Sequence, residues 1–360
     1  MNLRDRLGIL GMGTYLPPTI RKNDAWPEAT IQRWSERALL KQDRLHAAEV
    51  RTEGRRRVLE AMAALANDPF KGARERRVMD AGMTTSDMEV AAAEDALERA
   101  GVDRAEIDLF STATTLPDYL SVSNTPLVHH RLGLPSRALS LTIDSACNGF
   151  LHQLAVAEAM ILAGRARRAL LVQSSGLGHA CRPEDAHAGW FGDAATAVVV
   201  GPVAAPHGLL GHAHRTDGRY HRALVIGSPG RPWYRAGEGL YAHTEDPGAA
   251  LEMLLDTADH GRTIVHEALA AAGVEADDVT FYASHQAASW FRPVTQEVIG
   301  LRKARSFDSF AWTASLTTCN VPFMLAMAER EGVLRPGDVV AMYGGGSGVV
   351  FSGAVLRWGQ

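Results

Sequence analysis

Cys147 stands where an apolar run, Leu139 to Ile143, meets a helical one that ends at Gly164. The stretch Leu141-Thr-Ile-Asp-Ser-Ala-Cys-Asn-Gly-Phe150 thus predicts a strand turning into a helix at the cysteine. A helix N-terminus offers free N–H groups and partial positive charge, and both favour the thiolate, which is the nucleophilic form. Ser145, Ala146 and Gly149 are small and leave room for a substrate. The competing reading is an ordinary buried cysteine. A cysteine nucleophile needs a base or a cationic neighbour. His285, between a predicted strand at 279–283 and a predicted helix at 290–301, is placed to be one. Gly344-Gly-Gly-Ser-Gly348 has four glycines in five residues, more than a hairpin turn requires. Its exposed N–H groups and that of Cys147 would suit an oxyanion.

The elements that must position these residues alternate. Strands are predicted at 7–15, 107–113, 139–143, 169–174, 193–200, 207–214, 223–226, 279–283, 339–342 and 349–358. Helices are predicted at 88–100, 125–132, 147–164, 250–272, 290–301 and 318–331. Thr85 or Ser86 is expected to cap the 88–100 helix, with Glu89 closing a capping box, and Gly101 to end it. Alternation implies α/β layers with mostly parallel strands. Arg99-Ala-Gly-Val-Asp-Arg-Ala-Glu-Ile-Asp-Leu-Phe110 is echoed by Ala271-Ala-Gly-Val-Glu-Ala-Asp-Asp-Val-Thr-Phe-Tyr282, which suggests internal duplication. The expected halves are 1–205, carrying Cys147, and 206–360, carrying His285 and the glycine-rich turn. Residues 26–67 interrupt the first half with two amphipathic helices, in which Trp26 and Trp34 either dock the insertion or shape a pocket.

Composition narrows the function. The 360 residues are 46% hydrophobic and 22% charged, enough for a large core. The net charge of −4 gives no case for nucleic acid. Cys147, Cys181 and Cys319 are widely spaced, with no metal-ligand spacing, so neither a disulfide framework nor a metal site is expected. No apolar run is long enough to span a membrane, and the first residues do not read as a signal peptide. A cytoplasmic protein is the expectation.

Motifs in order along the chain carry a resemblance: Arg74-Glu-Arg-Arg-Val78, Thr84-Thr-Ser-Asp87, Thr114-Thr-Leu-Pro-Asp118, Leu127-Val-His-His-Arg-Leu-Gly133, Ser145-Ala-Cys-Asn-Gly-Phe150, Phe191-Gly-Asp-Ala-Ala195, Ser284-His-Gln-Ala287 and Gly353-Ala-Val-Leu-Arg-Trp358. The sequence resembles the ketoacyl-ACP synthase III branch of the thiolase superfamily. That resemblance implies a duplicated five-layer α-β-α-β-α thiolase fold and a homodimer. It implies that Cys147 accepts an acyl group from acyl-CoA or an acyl carrier protein, that His285 works at the same site, and that no cofactor is permanently bound. It also implies an oxyanion hole made by the backbone N–H of Cys147 and of Ser347, with Gly346 as the alternative.

Two departures bear on the reaction. The family's asparagine, seven residues before a helix proline, falls on Ser315 when counted back from Pro322. That asparagine helps the histidine stabilise an enolate, so decarboxylative condensation is in doubt, and transfer to a hydroxyl, amine or carbon acceptor in secondary metabolism is the favoured expectation. Asn320 is not expected to replace it, being over a helical turn away if both are helical. The second departure is the 26–67 insertion, of a kind that occurs among acyltransferase relatives in antibiotic pathways. Arg74, Arg77 and Arg168 are the candidate contacts for CoA phosphates or an acidic carrier protein. Asp193 is read as a turn and packing residue.

Overall fold

Apolar residues run almost unbroken along the central strands, and successive side chains point to opposite faces, so each sheet has two buried faces. The computed structural model describes residues 6–40, 48–235 and 239–360. The strands are β1 (Arg6–Tyr15), β2 (Thr19–Lys22), β3 (Glu75–Val78), β4 (Leu109–Thr114), β5 (Leu139–Thr142), β6 (Ala169–Ser175), β7 (Ala194–Val203), β8 (Gly208–Thr216), β9 (Val225–Gly227), β10 (Tyr241–His243), β11 (Phe281–Ser284), β12 (Val339–Gly346) and β13 (Val350–Arg357). The helices are α1 (Glu28–Leu40), α2 (Glu53–Ala64), α3 (Thr85–Ala100), α4 (Asn124–Leu132), α5 (Gly149–Leu162), α6 (Pro247–Ala272), α7 (Phe291–Ile299), α8 (Phe310–Thr313) and α9 (Asn320–Arg330).

One sheet runs β5-β4-β6-β7-β1, the other β11-β12-β13-β8, with an isolated parallel bridge from Phe281 to Arg305 where a fifth strand would lie. Pairing senses match position by position. β4 is parallel to β5 and β6, and β11 is parallel to β12; β7 and β13 are antiparallel to both of their neighbours. The expectation of mostly parallel strands is therefore corrected: both sheets are mixed. β12 reaches β13 through a turn too tight for a crossover, so that pair must be antiparallel. The 176–193 link from β6 to β7 carries only short 3₁₀ turns and returns the chain antiparallel.

Leu109, Leu171, Val198 and Val200 of the first sheet, and Phe281, Val340, Met342, Ala354 and Leu356 of the second, close on α5 and α9 between them. Phe110, Leu170, Val172 and Val199 face outward to α3 and α4. Tyr282, Ala341 and Val355 face outward to α6 and α7. The result is five layers, helix–sheet–helix–sheet–helix. The echoed segments also match locally: Gly101 and Gly273 cap their helices at φ +60° and +65°, and each is followed by a single 3₁₀ turn, at Arg104–Glu106 and Ala276–Asp278.

The cap of α3 differs from expectation. Thr84 is the N-cap and Asp87 completes the box. Glu89 is instead fully buried, taking hydrogen bonds from Ser174 Oγ (2.7 Å) and Asn124 Nδ2 (3.0 Å).

The insertion docks on α6 and α7. Thr52 caps α2, and the buried Arg55 pairs with Asp256 at 2.6 Å and with Glu252. Trp34 is buried, packs edge-on against Trp26 and Phe70, and donates its indole N–H to the Glu184 carbonyl at 2.9 Å. The two tryptophans are thus the docking seam. Residues 41–47 of the insertion, and Met1 to Asp5, lie outside the described residues.

Candidate active site

Cys147 lies in a one-turn 3₁₀ helix, Ala146–Asn148, between β5 and α5. Ala146 opens that turn at φ +46°. A side chain in this region is strained, and such strain persists where surrounding structure enforces it. The same device recurs between α8 and α9: Thr317, at φ +49°, opens the 3₁₀ turn Thr317–Cys319, which runs into α9. The two elbows touch. A methyl built on Gly149 would lie 2.6 Å from Thr318 Oγ1. The chain thus brings Ser315 to Asn320 beside Cys147.

The glycine turn closes the third side. Gly346, the last residue of β12, packs on the cysteine elbow, and a Cβ there would meet the Ser145 carbonyl at 2.5 Å and the Cys147 nitrogen at 3.1 Å. Gly344 approaches Asn148 as closely. These close contacts explain the glycines. Ser347 follows at the turn into β13; of the two residues named for the oxyanion hole beside Cys147, Gly346 is the one that packs on the Cys147 amide.

His285 follows β11. Its backbone N–H donates to the Tyr343 carbonyl at 2.9 Å, and its ring meets Phe291 edge-on. It is 6% exposed, and burial holds it neutral, with its pKa lowered to about 4. Burial likewise pushes the Cys147 thiol up to about 12, against the pull of its own backbone N–H. The resting pair is therefore thiol and neutral imidazole, where the helix N-terminus alone suggested a thiolate. Desolvation outweighs the helix N-terminus here.

Asn320 is the residue that sequence reasoning set aside. Residues 315–319 are not α-helical, so the helical spacing that separated it from Ser315 does not apply. Its Nδ2 lies 2.9 Å from His285 Nδ1 and 3.4 Å from Ser315 Oγ. Ser315, 1% exposed, is held by backbone bonds to Trp190 and Gly192. The signal that would have found Asn320 was present: it is the amide that opens the helix.

The arginines separate. The backbone N–H of Arg74 donates to Ala311, on the segment leading to Ser315, and its side chain is exposed. Arg77 donates from Nη1 to the carbonyls of Pro17 and Pro18. Arg168 precedes β6, at the end of the sheet opposite Cys147, and pairs with Glu106. It is not at the site, because its strand runs parallel to β4 and β5, whose far ends carry the chemistry. Asp193 accepts from the Met79 N–H at 2.7 Å and from His179, as a packing residue does. Cys181 and Cys319 are free thiols. Among the described residues, no cluster of three His, Cys, Asp or Glu is arranged to hold a metal, and no helix is long and apolar enough to cross a membrane.

A cysteine elbow between two like sheets, faced by a histidine from the second, defines an acyl-transferring enzyme of the thiolase fold. The chain belongs to the 3-oxoacyl-[acyl-carrier-protein] synthase III family. Residues 141–218 match the model of that synthase and 269–358 match the model of its C-terminal region. The β-ketoacyl-[acyl-carrier-protein] synthase III of Rhodospirillum rubrum is 32% identical over 283 residues, covering 77% of this chain and 85% of that protein. The crystal structure of the corresponding synthase III of Pseudomonas aeruginosa PAO1 is 25% identical with a TM-score of 0.76, covering 99% of both chains. A priming β-ketosynthase from a polyketide biosynthetic pathway is 25% identical with a TM-score of 0.79, covering 98% of this chain and 96% of its own.

Proposed function

We propose that the protein transfers an acyl group by way of a thioester on Cys147, taken from acyl-CoA or an acyl carrier protein and passed to a carbon, hydroxyl or amine acceptor in secondary metabolism. In the first half-reaction the Cys147 sulfur attacks the thioester carbonyl, the carrier thiol leaves, and the cysteine proton goes to the departing sulfur. The carbonyl oxygen, negative in the tetrahedral intermediate, sits between the Cys147 amide and an N–H of Gly346 or Ser347. The observation that carries this reading is the packing of Gly346 on the Cys147 amide at the elbow. Ser315, in the place of the family's asparagine, supports an acceptor other than a malonyl thioester. Arg74 is proposed to meet the carrier's phosphates. The protein acts as a homodimer, with halves 1–205 and 206–360. Intact-protein mass spectrometry after incubation with a panel of acyl-CoAs and acylated carrier proteins tests the proposal. A single adduct, absent from Cys147→Ala, is expected; no adduct, or one that survives the substitution, overturns it.

A second reading is condensation, a C–C bond made with or without loss of carbon dioxide. It is favoured by the Asn320 amide at His285 Nδ1, which leaves Nε2 to act as a donor towards an enolate, and by the ketosynthase relatives. Carbon dioxide release from a malonyl thioester, dependent on the acylated enzyme, separates the two.

A further inference from the structure

The orientation of the Asn320 amide is fixed by two backbone groups of unambiguous polarity. The Leu316 N–H can only donate, and it meets Oδ1 at 3.1 Å. The Thr317 carbonyl can only accept, and it meets Nδ2 at 3.0 Å. Flipping the amide would set donor against donor and acceptor against acceptor, both buried, and leave both groups unsatisfied. The other N–H of Nδ2 has two partners in reach, and His285 Nδ1 at 2.9 Å takes it over Ser315 Oγ at 3.4 Å. Two N–H groups cannot share that contact, so Nδ1 must carry a lone pair and the ring proton must sit on Nε2.

We propose that Asn320 is a positioning residue that locks neutral His285 in its Nε2–H tautomer, so that the imidazole meets the reacting oxygen as a hydrogen-bond donor and not as a base. The groups around the ring fit this. They are the Asn320 amide, the Phe291 ring and the Thr317 carbonyl, with no ionised side chain among the described contacts. The Thr317 carbonyl is the competitor, since it would hold an Nδ1–H if Asn320 did not occupy that face. The role in turnover rests on the acyl-transfer reading and sharpens it. A donor at Nε2 stabilises oxyanion or enolate character on an acceptor thioester, whereas a hydroxyl or amine acceptor would have to lose its proton elsewhere. The amide thus acts from the start of α9, five residues after Ser315.

The test needs no substrate, so its failure is distinct from failure of the acyl-transfer reading. In the full chain labelled with ¹⁵N-histidine at pH 7.5, long-range ¹H–¹⁵N correlation reports which ring nitrogen is protonated, with His285 assigned by its loss in His285→Gln. The Nε2–H pattern is expected, and an Nδ1–H pattern overturns the proposal. In Asn320→Asp the carboxylate accepts from Nδ1–H, which frees the Nε2 lone pair to take the thiol proton. Alkylation of Cys147 by iodoacetamide then shifts about one unit to lower pH and runs about tenfold faster at pH 7. A folded Asn320→Asp protein with unchanged His285 signals and an unchanged alkylation profile also overturns it. If that variant does not fold, the spectrum of the unsubstituted protein decides alone.

Discussion

Gly346 lies against the backbone nitrogen of Cys147 so closely that a single methyl on its Cα would come within 3.1 Å of that nitrogen and 2.5 Å of the Ser145 carbonyl. Both neighbours are main chain and cannot rotate away. Gly346→Ala is therefore expected to push the elbow and the turn apart, removing the alignment of the two N–H groups. Acylation of Cys147 should slow by about 10²–10³, the usual loss for one oxyanion donor. Stopped-flow release of the carrier thiol measures it, and an unchanged rate would place the oxyanion elsewhere.

Ser315 is buried, yet its hydroxyl makes only long contacts, 3.4 Å to Asn320 Nδ2 and 3.5 Å to the Thr317 N–H. Its stabilising role is small, so Ser315→Ala should fold. The substitution should leave acylation within about twofold and slow transfer from the acyl-enzyme by at least about tenfold, the loss of one neutral hydrogen bond in the transition state. Single-turnover kinetics on pre-acylated protein separate the two steps. Equal slowing of both would assign Ser315 to the structure of the elbow.

Arg55 joins the insertion to α6 through Asp256 and Glu252, with its own side chain 3% exposed and the carboxylates 23% and 41% exposed. Arg55→Ala should cost about 2 kcal/mol, below the 3–5 kcal/mol typical of breaking a fully buried pair, because water reaches the two carboxylates. Urea unfolding at pH 7.5 is the measurement. A change below about 0.5 kcal/mol, the level of an ordinary surface substitution, would mean the aromatic seam alone holds the insertion.

His285 couples folding to acid. Its folded pKa of about 4 lies below the ordinary histidine value of 6.5. The stabilisation from keeping it neutral is complete above the unfolded value and is lost as pH falls through the folded one. Between pH 7.5 and 5 this amounts to about 2 kcal/mol. The stability difference between the unsubstituted protein and His285→Gln should narrow by that amount over the same interval. A difference independent of pH would show an imidazole that is not held neutral by burial.

The cysteine, the histidine and the glycine turn could be read from sequence because each carries a local signature: small residues before a helix, a strand end, a run of glycines. The five layers followed from ordered motifs. What was not legible depended on how segments meet. Counting from Pro322 found Ser315 but treated 315–320 as helix. The 3₁₀ turn and the positive φ at Thr317 bring Asn320 to His285, and no periodicity encodes that. Strand sense failed for a related reason, because a tight turn and an irregular link each look like any other gap between strands. Arg168 is one of several surface arginines, and only the strand direction tells which rim it occupies. The cap of α3 moved by one residue because Thr84, Thr85 and Ser86 are chemically alike, and burial of Glu89 decided among them.

The matched elbows have a consequence for how this catalytic centre can change. Ala146 and Thr317 open equivalent turns, so Cys147 has a counterpart in Thr318, whose buried hydroxyl has no hydrogen-bond partner among the described residues. His285, just after β11, has a counterpart in Ala113 of β4, because Leu109 and Phe281 open the matched strands and face the same inner layer. The duplicated frame supplies each reactive station twice, once loaded and once vacant. New chemistry can be recruited at the vacant pair, Ala113 and Thr318, by substitution in place, without moving the backbone that holds the working pair.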